Sequence, residues 1–221
     1  MPPAKKSTVK KTAARTRRTN PQRSAEMRGR LIQATIDILF ESSYAAATTI
    51  EVAKRANVSR GAMLHHFPNR VELLIATAEH IILDQRQYRI DKLADVENNW
   101  KRFVAAADVS WDVQKQPATI ALLEIMLAQR SDAELRKRMA PLLREMNALR
   151  AESAARFATT LGVSNVKPLD DLILAHLASL RGLAISLLFT RDPEEVEAAR
   201  NLLTHYERTF AKKLVAEHAV K

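Results

Sequence analysis

The chain has 221 residues, no cysteine and a formal net charge of +10. The missing thiols exclude disulfide scaffolds, cysteine nucleophiles and cysteine-ligated zinc, and fit a reducing cytoplasm. An apolar content of 47% is ordinary for a globular protein with a sizeable core. Only four glycines occur, and no segment alternates apolar and polar residues long enough for a strand, so helical spacing predicts an all-α fold.

Residues 1–23 carry Lys5, Lys6, Lys10, Lys11, Arg15, Arg17, Arg18 and Arg23 without one acid. The rest of the chain is nearly neutral. Poor in apolar residues, this segment is expected to be a disordered basic arm that follows phosphates or enters a minor groove; a solubilising extension fits it equally. It lacks the apolar stretch of a secretory leader. From Ala25 to Ser42 the positions Leu31, Ala34, Ile38 and Leu39 predict a helix, fraying ahead of Gly29 because glycine weakens a helix by about 1 kcal/mol.

Thr48 with Glu51 forms a capping box that opens a second helix, which stops at Asn57, a residue tolerant of the left-handed conformation. Ser59 caps a third, Arg60 to about His66, broken by Pro68. Asn69 and Glu72 open a fourth bearing Leu73, Leu74 and Ala78. Two short helices joined by a tight turn and braced by a longer one make a helix-turn-helix. Packing through Ala62 and Phe67 would leave Ser59, Arg60, Gly61, Leu64 and His65 facing outward.

This stretch, above all Val58-Ser59-x-Gly61-x-x-x-x-His66-Phe67-x-Asn69, resembles the DNA-binding domain of the TetR family of bacterial regulators over residues 25 to 74. The resemblance implies a helix-turn-helix DNA-binding domain (24–70) and a larger helical effector-binding and dimerisation domain (71–221). It also implies a ligand-responsive cytoplasmic repressor that binds a pseudo-palindromic operator as a homodimer, located at the nucleoid when on DNA. Three positions depart from the family's pattern: Leu64 stands where Tyr is common, Asn57 where Gly is usual, and Arg70 where Lys is usual.

Chemistry and resemblance together sort the expected DNA contacts. Thr48 binds a phosphate from a helix N-terminus, with His65, His66 and Arg70 as further phosphate ligands. Arg60 reads guanine through O6 and N7, Leu64 touches a thymine methyl, and Ser59 does either job. Gly61 allows a close approach to DNA or packs onto the second helix. His66 beside Phe67 packs inward in the competing reading. Adjacent His65 and His66 point about 100° apart, so no metal is expected there. Neither a cofactor nor a catalytic group is expected.

Farther on, Trp100, Phe103, Ala107 and Trp111 form a helical stripe that is either core or the wall of an effector cavity, with Met126 as a flexible wall residue. Ser131 and Glu134 are expected to cap a helix that contains Pro141 and ends near Gly162. The apolar run Leu172 to Phe189 is interrupted by His176 and Arg181, which fits a buried helix rather than a membrane span. Those two bind an amphipathic, anionic effector or pair internally, Glu124 being one partner considered. Ala175, Ser179, Gly182 and Ser186 share a small-residue face, and Val196, Ala199, Leu203 and Tyr206 follow on the last helix. A two-fold four-helix bundle or an intrachain hairpin accommodates both. Sequence-independent DNA compaction driven by the arm is the alternative function, and the six histidines form no catalytic spacing.

Overall fold

The computed structural model describes residues 20–219, and most of the expected arm lies outside them. Among the described residues every regular element is helical: α1 (Asn20–Glu41), α2 (Thr49–Arg55), α3 (Arg60–His66), α4 (Arg70–Leu93), α5 (Trp100–Gln114), α6 (Pro117–Ala128), α7 (Ala133–Leu161), α8 (Val166–Ser186) and α9 (Pro193–Ala219). No described helix is long and apolar enough to cross a membrane.

Local chemistry sets the short elements. The Thr48, Ser59 and Asn69 side-chain oxygens accept the backbone N–H of Glu51, Ala62 and Glu72 at 3.2, 3.1 and 2.9 Å. Each satisfies a donor that the first helical turn leaves open. Asn57 takes φ 53°, the left-handed step between α2 and α3.

Two expected boundaries are corrected. α1 begins at Asn20 and runs through Gly29. Its neighbours anchor it instead: Arg28 Nη1 donates to the His66 carbonyl at 2.9 Å, and Arg30 donates to the Ala56 carbonyl. Those tertiary bonds outweigh one weak helix former. α7 is capped by Asp132 rather than Ser131: Asp132 Oδ1 accepts the Leu135 N–H at 2.9 Å, while the Ser131 hydroxyl donates back to the Ala128 carbonyl. α7 passes through Pro141 and ends at Gly162, whose φ of 73° is a left-handed cap.

One core joins the helix-turn-helix to the larger helical body. Leu31, Leu39, Val52, Met63, Phe67, Leu74 and Ile81 pack together with Ile125 of α6 and Leu135 and Met139 of α7. The domain boundary expected near residue 70 thus falls inside continuous packing. Two smaller clusters lie among α5, α7, α8 and α9: Phe103 with Ala158, Leu169, Ala211 and Leu214, and Trp111 with Leu180, Ala184 and Val196.

Candidate nucleic-acid interface and effector region

α3 buries Met63 completely and leans on Phe67, so Met63 rather than Ala62 is its chief anchor. Ser59, Arg60, Gly61 and His65 are exposed. Arg60 makes no hydrogen bond or ion pair among the described residues, which leaves its whole guanidinium fork for a partner. The hydroxyls of Thr48 and Ser59 accept from their own helices, leaving each O–H free to donate outward. A Cβ on Gly61 would meet only Ser59 Oγ, at 3.9 Å. Close packing of Gly61 onto α2 is therefore ruled out.

Leu64, His66 and Arg70 are placed differently from the expectation. Leu64 is half-buried and packs against the main core, because a seven-residue helix has too little surface to spare an apolar side chain. His66 is half-buried, and burial, aided by the charges of His65 and Arg28, lowers its pKa. A neutral imidazole offers a phosphate one hydrogen bond and no charge. Arg70 turns inward: Nε donates to the Ala47 carbonyl at 2.9 Å, Nη2 donates to the Tyr44 carbonyl, and the guanidinium lies 3.9 Å from the Tyr44 ring centroid. It holds the loop between α1 and α2 in place of a phosphate.

Tyr44 is a junction that sequence reasoning missed. Its N–H donates to Glu124 Oε2 of α6 at 2.8 Å and its hydroxyl donates to Asp132 Oδ2 at the start of α7, also at 2.8 Å. Asp132 is held below the usual carboxylate range by the Leu135 N–H and then by this hydroxyl. Glu124, considered a partner for His176 or Arg181, is committed here. Arg28 was missed as well; its guanidinium lies 4.3 Å from the Phe67 ring centroid and satisfies the end of α3 from behind.

The five expected cavity residues do not line one cavity. Phe103 and Trp111 are buried in separate clusters, and Met126 packs half-buried against the main core. Arg181 is half-buried on α8. His176 instead joins a polar layer between the two apolar clusters, with Asp108 of α5 and Arg200, Thr204, Glu207 and Arg208 of α9. Its Nε2 lies 3.5 Å from Glu207 Oε2, and the two residues are only 3% and 6% exposed. The polar residues of α9 recur at i, i+4, i+7 and i+8 between Val196 and Ala211, an interruption of the apolar stripe that was readable in the sequence.

Burial pushes His176 from its ordinary 6.5 down to about 4, with Arg200 adding to the shift, and raises Glu207 from 4.5 to about 7. The two have opposite linkage. Between about pH 4 and 6.5 the unfolded chain carries a proton on His176 that the folded chain lacks, so acidification costs stability. Between 4.5 and about 7 the folded chain carries a proton on Glu207 that the unfolded chain lacks, so alkalinisation costs stability. The slopes oppose each other where the windows overlap. His176→Gln is expected to expose the Glu207 slope, its melting temperature falling as pH rises from 4.5 to 7; Glu207→Gln should show the reverse trend from 4 to 6.5. Thermal melts across that range check both.

On α8 and α9, Ala175, Ser179, Gly182, Ser186, Ala199 and Tyr206 are exposed, as are Leu174, Leu202 and Phe210, together with Phe189 of the connecting turn. The Ser179 and Ser186 hydroxyls donate to the Ala175 and Gly182 carbonyls of their own helix, so this face shows little unmet polarity. Val196 and Leu203 belong inside the chain: Val196 is buried with Trp111 and Leu180, and Leu203 packs against them. They are corrected from interface to core.

A helix-turn-helix with a polar, unpaired outer row on α3, mounted on a larger helical body, defines the class of helix-turn-helix regulators. Residues 31–77 match the family model described as bacterial regulatory proteins, tetR family. The chain is 33% identical over 197 residues to the HTH-type transcriptional regulator CymR of Pseudomonas putida, covering 84% of this chain and 91% of that one. It is 27% identical over 184 residues to the regulator BetI of Burkholderia mallei, covering 81% and 90%. A TetR-family regulator from Rhodococcus sp. superposes with a TM-score of 0.67 at 20% identity, covering 82% of this chain and 96% of that chain. The chain belongs to the TetR family and is a helix-turn-helix transcriptional regulator.

Proposed function

We propose that the protein is a ligand-responsive repressor that binds a pseudo-palindromic operator as a homodimer. The observation that carries the DNA half of this reading is the exposed row Thr48, Ser59, Arg60, Gly61 and His65, whose donors have no internal work. Thr48 and His65 anchor on phosphates and fix register, while Arg60 and Ser59 meet base edges in the major groove. Leu64 supports α3 and touches a thymine methyl at most along its edge. His66 closes α3 against Arg28, and Arg70 holds the loop ahead of α2.

The dimer half rests on the continuous apolar face of α8 and α9. Leu174, Leu202, Tyr206 and Phe210 are large and exposed on α8 and α9, and Phe189 is exposed in the turn between them, with the small residues Ala175, Ser179, Gly182 and Ser186 leaving room for another helix to approach. A patch of this kind marks an interaction surface. A second copy of the same face, related by a two-fold axis, closes it into a four-helix bundle. Two recognition helices are then presented to successive major-groove turns.

Leu202→Glu is the direct test. The residue is 55% exposed in the single chain, so the fold should survive, whereas an unpaired charge in the bundle costs about 3 kcal/mol or more. Sedimentation should show a folded monomer with weak operator binding; an unchanged mass would reject the face.

Effector control passes through the Tyr44 junction. A ligand that favours one arrangement of α6 and α7 acts on Glu124 and Asp132, hence on the loop that Arg70 ties to the foot of α4. Only a difference in ligand affinity between the two arrangements can move recognition-helix spacing.

A further inference from the structure

The polar layer among α5, α8 and α9 takes no part in the DNA face or the dimer face. It lies between the Trp111 cluster and the Phe103 cluster, a position where polar groups persist only if they are satisfied or used. Its innermost pair is not satisfied. Both ring nitrogens of His176 and Oε2 of Glu207 lack a hydrogen-bond partner among the described residues. Nearer the surface, Arg200 and Arg208 share a single carboxylate, Asp108, and the Nε of each guanidinium is buried and unpartnered. Glu197, one turn before Arg200, is occupied by the Trp111 indole N–H at 2.9 Å. Two guanidiniums thus face one carboxylate, with His176 held neutral and Glu207 drawn toward neutrality.

The layer also has a side that can give way. Asp108 and Arg208 are 49% and 37% exposed, against 15% for Arg200. Asp108 is thus the most exposed member of the ion-pair group, and Arg200, His176 and Glu207 lie deeper. A planar carboxylate matches the guanidinium fork, and a monoanion restores the one negative charge that Asp108 takes away when it moves out.

We propose that this layer is the recognition end of the effector site and that it takes a small monocarboxylate carrying an apolar body. The carboxylate replaces Asp108 on Arg200 and Arg208, His176 and Glu207 hydrogen-bond its inner side, and the apolar body lies along Trp111 and Leu180. The proposal rests on the reading of the chain as ligand-responsive.

Calorimetric titration of the full-length protein tests it, with octanoate and cyclohexanecarboxylate as probes and octanamide, octylamine and octyl phosphate as comparisons. The carboxylates are expected to bind about tenfold or more tighter than each comparison, the scale of one charge-assisted hydrogen bond. Arg200→Gln should weaken them by about tenfold. Asp108→Asn should tighten them, because the competing anion is gone; a merely structural ion pair predicts no gain. Asp108 is half-exposed, so that variant keeps the test alive if Arg200→Gln fails to fold. Absence of carboxylate binding, equal binding of the amide, or no gain in Asp108→Asn overturns the proposal. A comparison compound that bound instead and altered operator affinity would overturn it while leaving the ligand-responsive reading intact. A carboxylate that bound at this layer without changing operator affinity would keep the carboxylate site but overturn both its role as an effector site and the ligand-responsive reading.

Discussion

Gly61→Ala is expected to yield a protein that folds as well as the natural one and binds its operator roughly thirtyfold more weakly, a loss of about 2 kcal/mol. A methyl at this position meets only Ser59 Oγ at 3.9 Å, and alanine in a helix gains up to about 1 kcal/mol over glycine. The fold has nothing to lose. The outward direction of that methyl, beside Arg60 and His65, sets it against whatever α3 approaches. A thermal melt and an operator titration on the same sample separate the two effects. A loss of melting temperature would mean that Gly61 serves packing; unchanged operator affinity would mean that α3 does not closely approach DNA at that point.

Arg70→Ala should behave in the opposite way. The side chain donates to the Tyr44 and Ala47 carbonyls and stacks on the Tyr44 ring. Losing those contacts from a half-buried site costs about 3 kcal/mol, or a melting temperature lower by roughly 6–12 °C. Because Tyr44 also bonds Glu124 and Asp132, the variant should respond less to any effector that shifts the operator affinity of the natural protein. Melting curves and ligand-dependent operator titrations measure the two losses. A variant with natural stability and only a weaker, salt-dependent grip on DNA would return Arg70 to the role of phosphate ligand.

The contrast between Gly61 and Arg70 marks the reach of sequence patterns. Capping residues act on their own backbone a few residues away, so Thr48, Ser59, Asn69 and the left-handed Asn57 were legible. So was the exposure of Arg60, which follows from its place on a short helix whose other face is apolar. Arg70 was misread because its sequence neighbours fit a phosphate ligand equally well. Its partners, Tyr44 and Ala47, are more than twenty residues away, and the pattern along α4 carries no trace of them. The same blindness to tertiary neighbours placed Val196 and Leu203 outside and left Leu202 unnoticed. One helical period holds both faces of α9, and only packing against Trp111 and Leu180 shows which is inner. His176 was singled out correctly as an ionisable interruption, but its partner Glu207 lies on another helix, 31 positions along the chain by their numbers.

Selection of bound duplexes from a random pool by the purified protein tests the central claim most directly. The account predicts enrichment of an inverted repeat whose half-sites lie about one helical turn or a multiple apart, and Arg60→Ala should relax preference at one base pair in each half, at a cost of about 1–3 kcal/mol. A pool that emerges unenriched, or that Arg60→Ala enriches identically, would contradict it and leave sequence-independent binding through the basic arm as the better description.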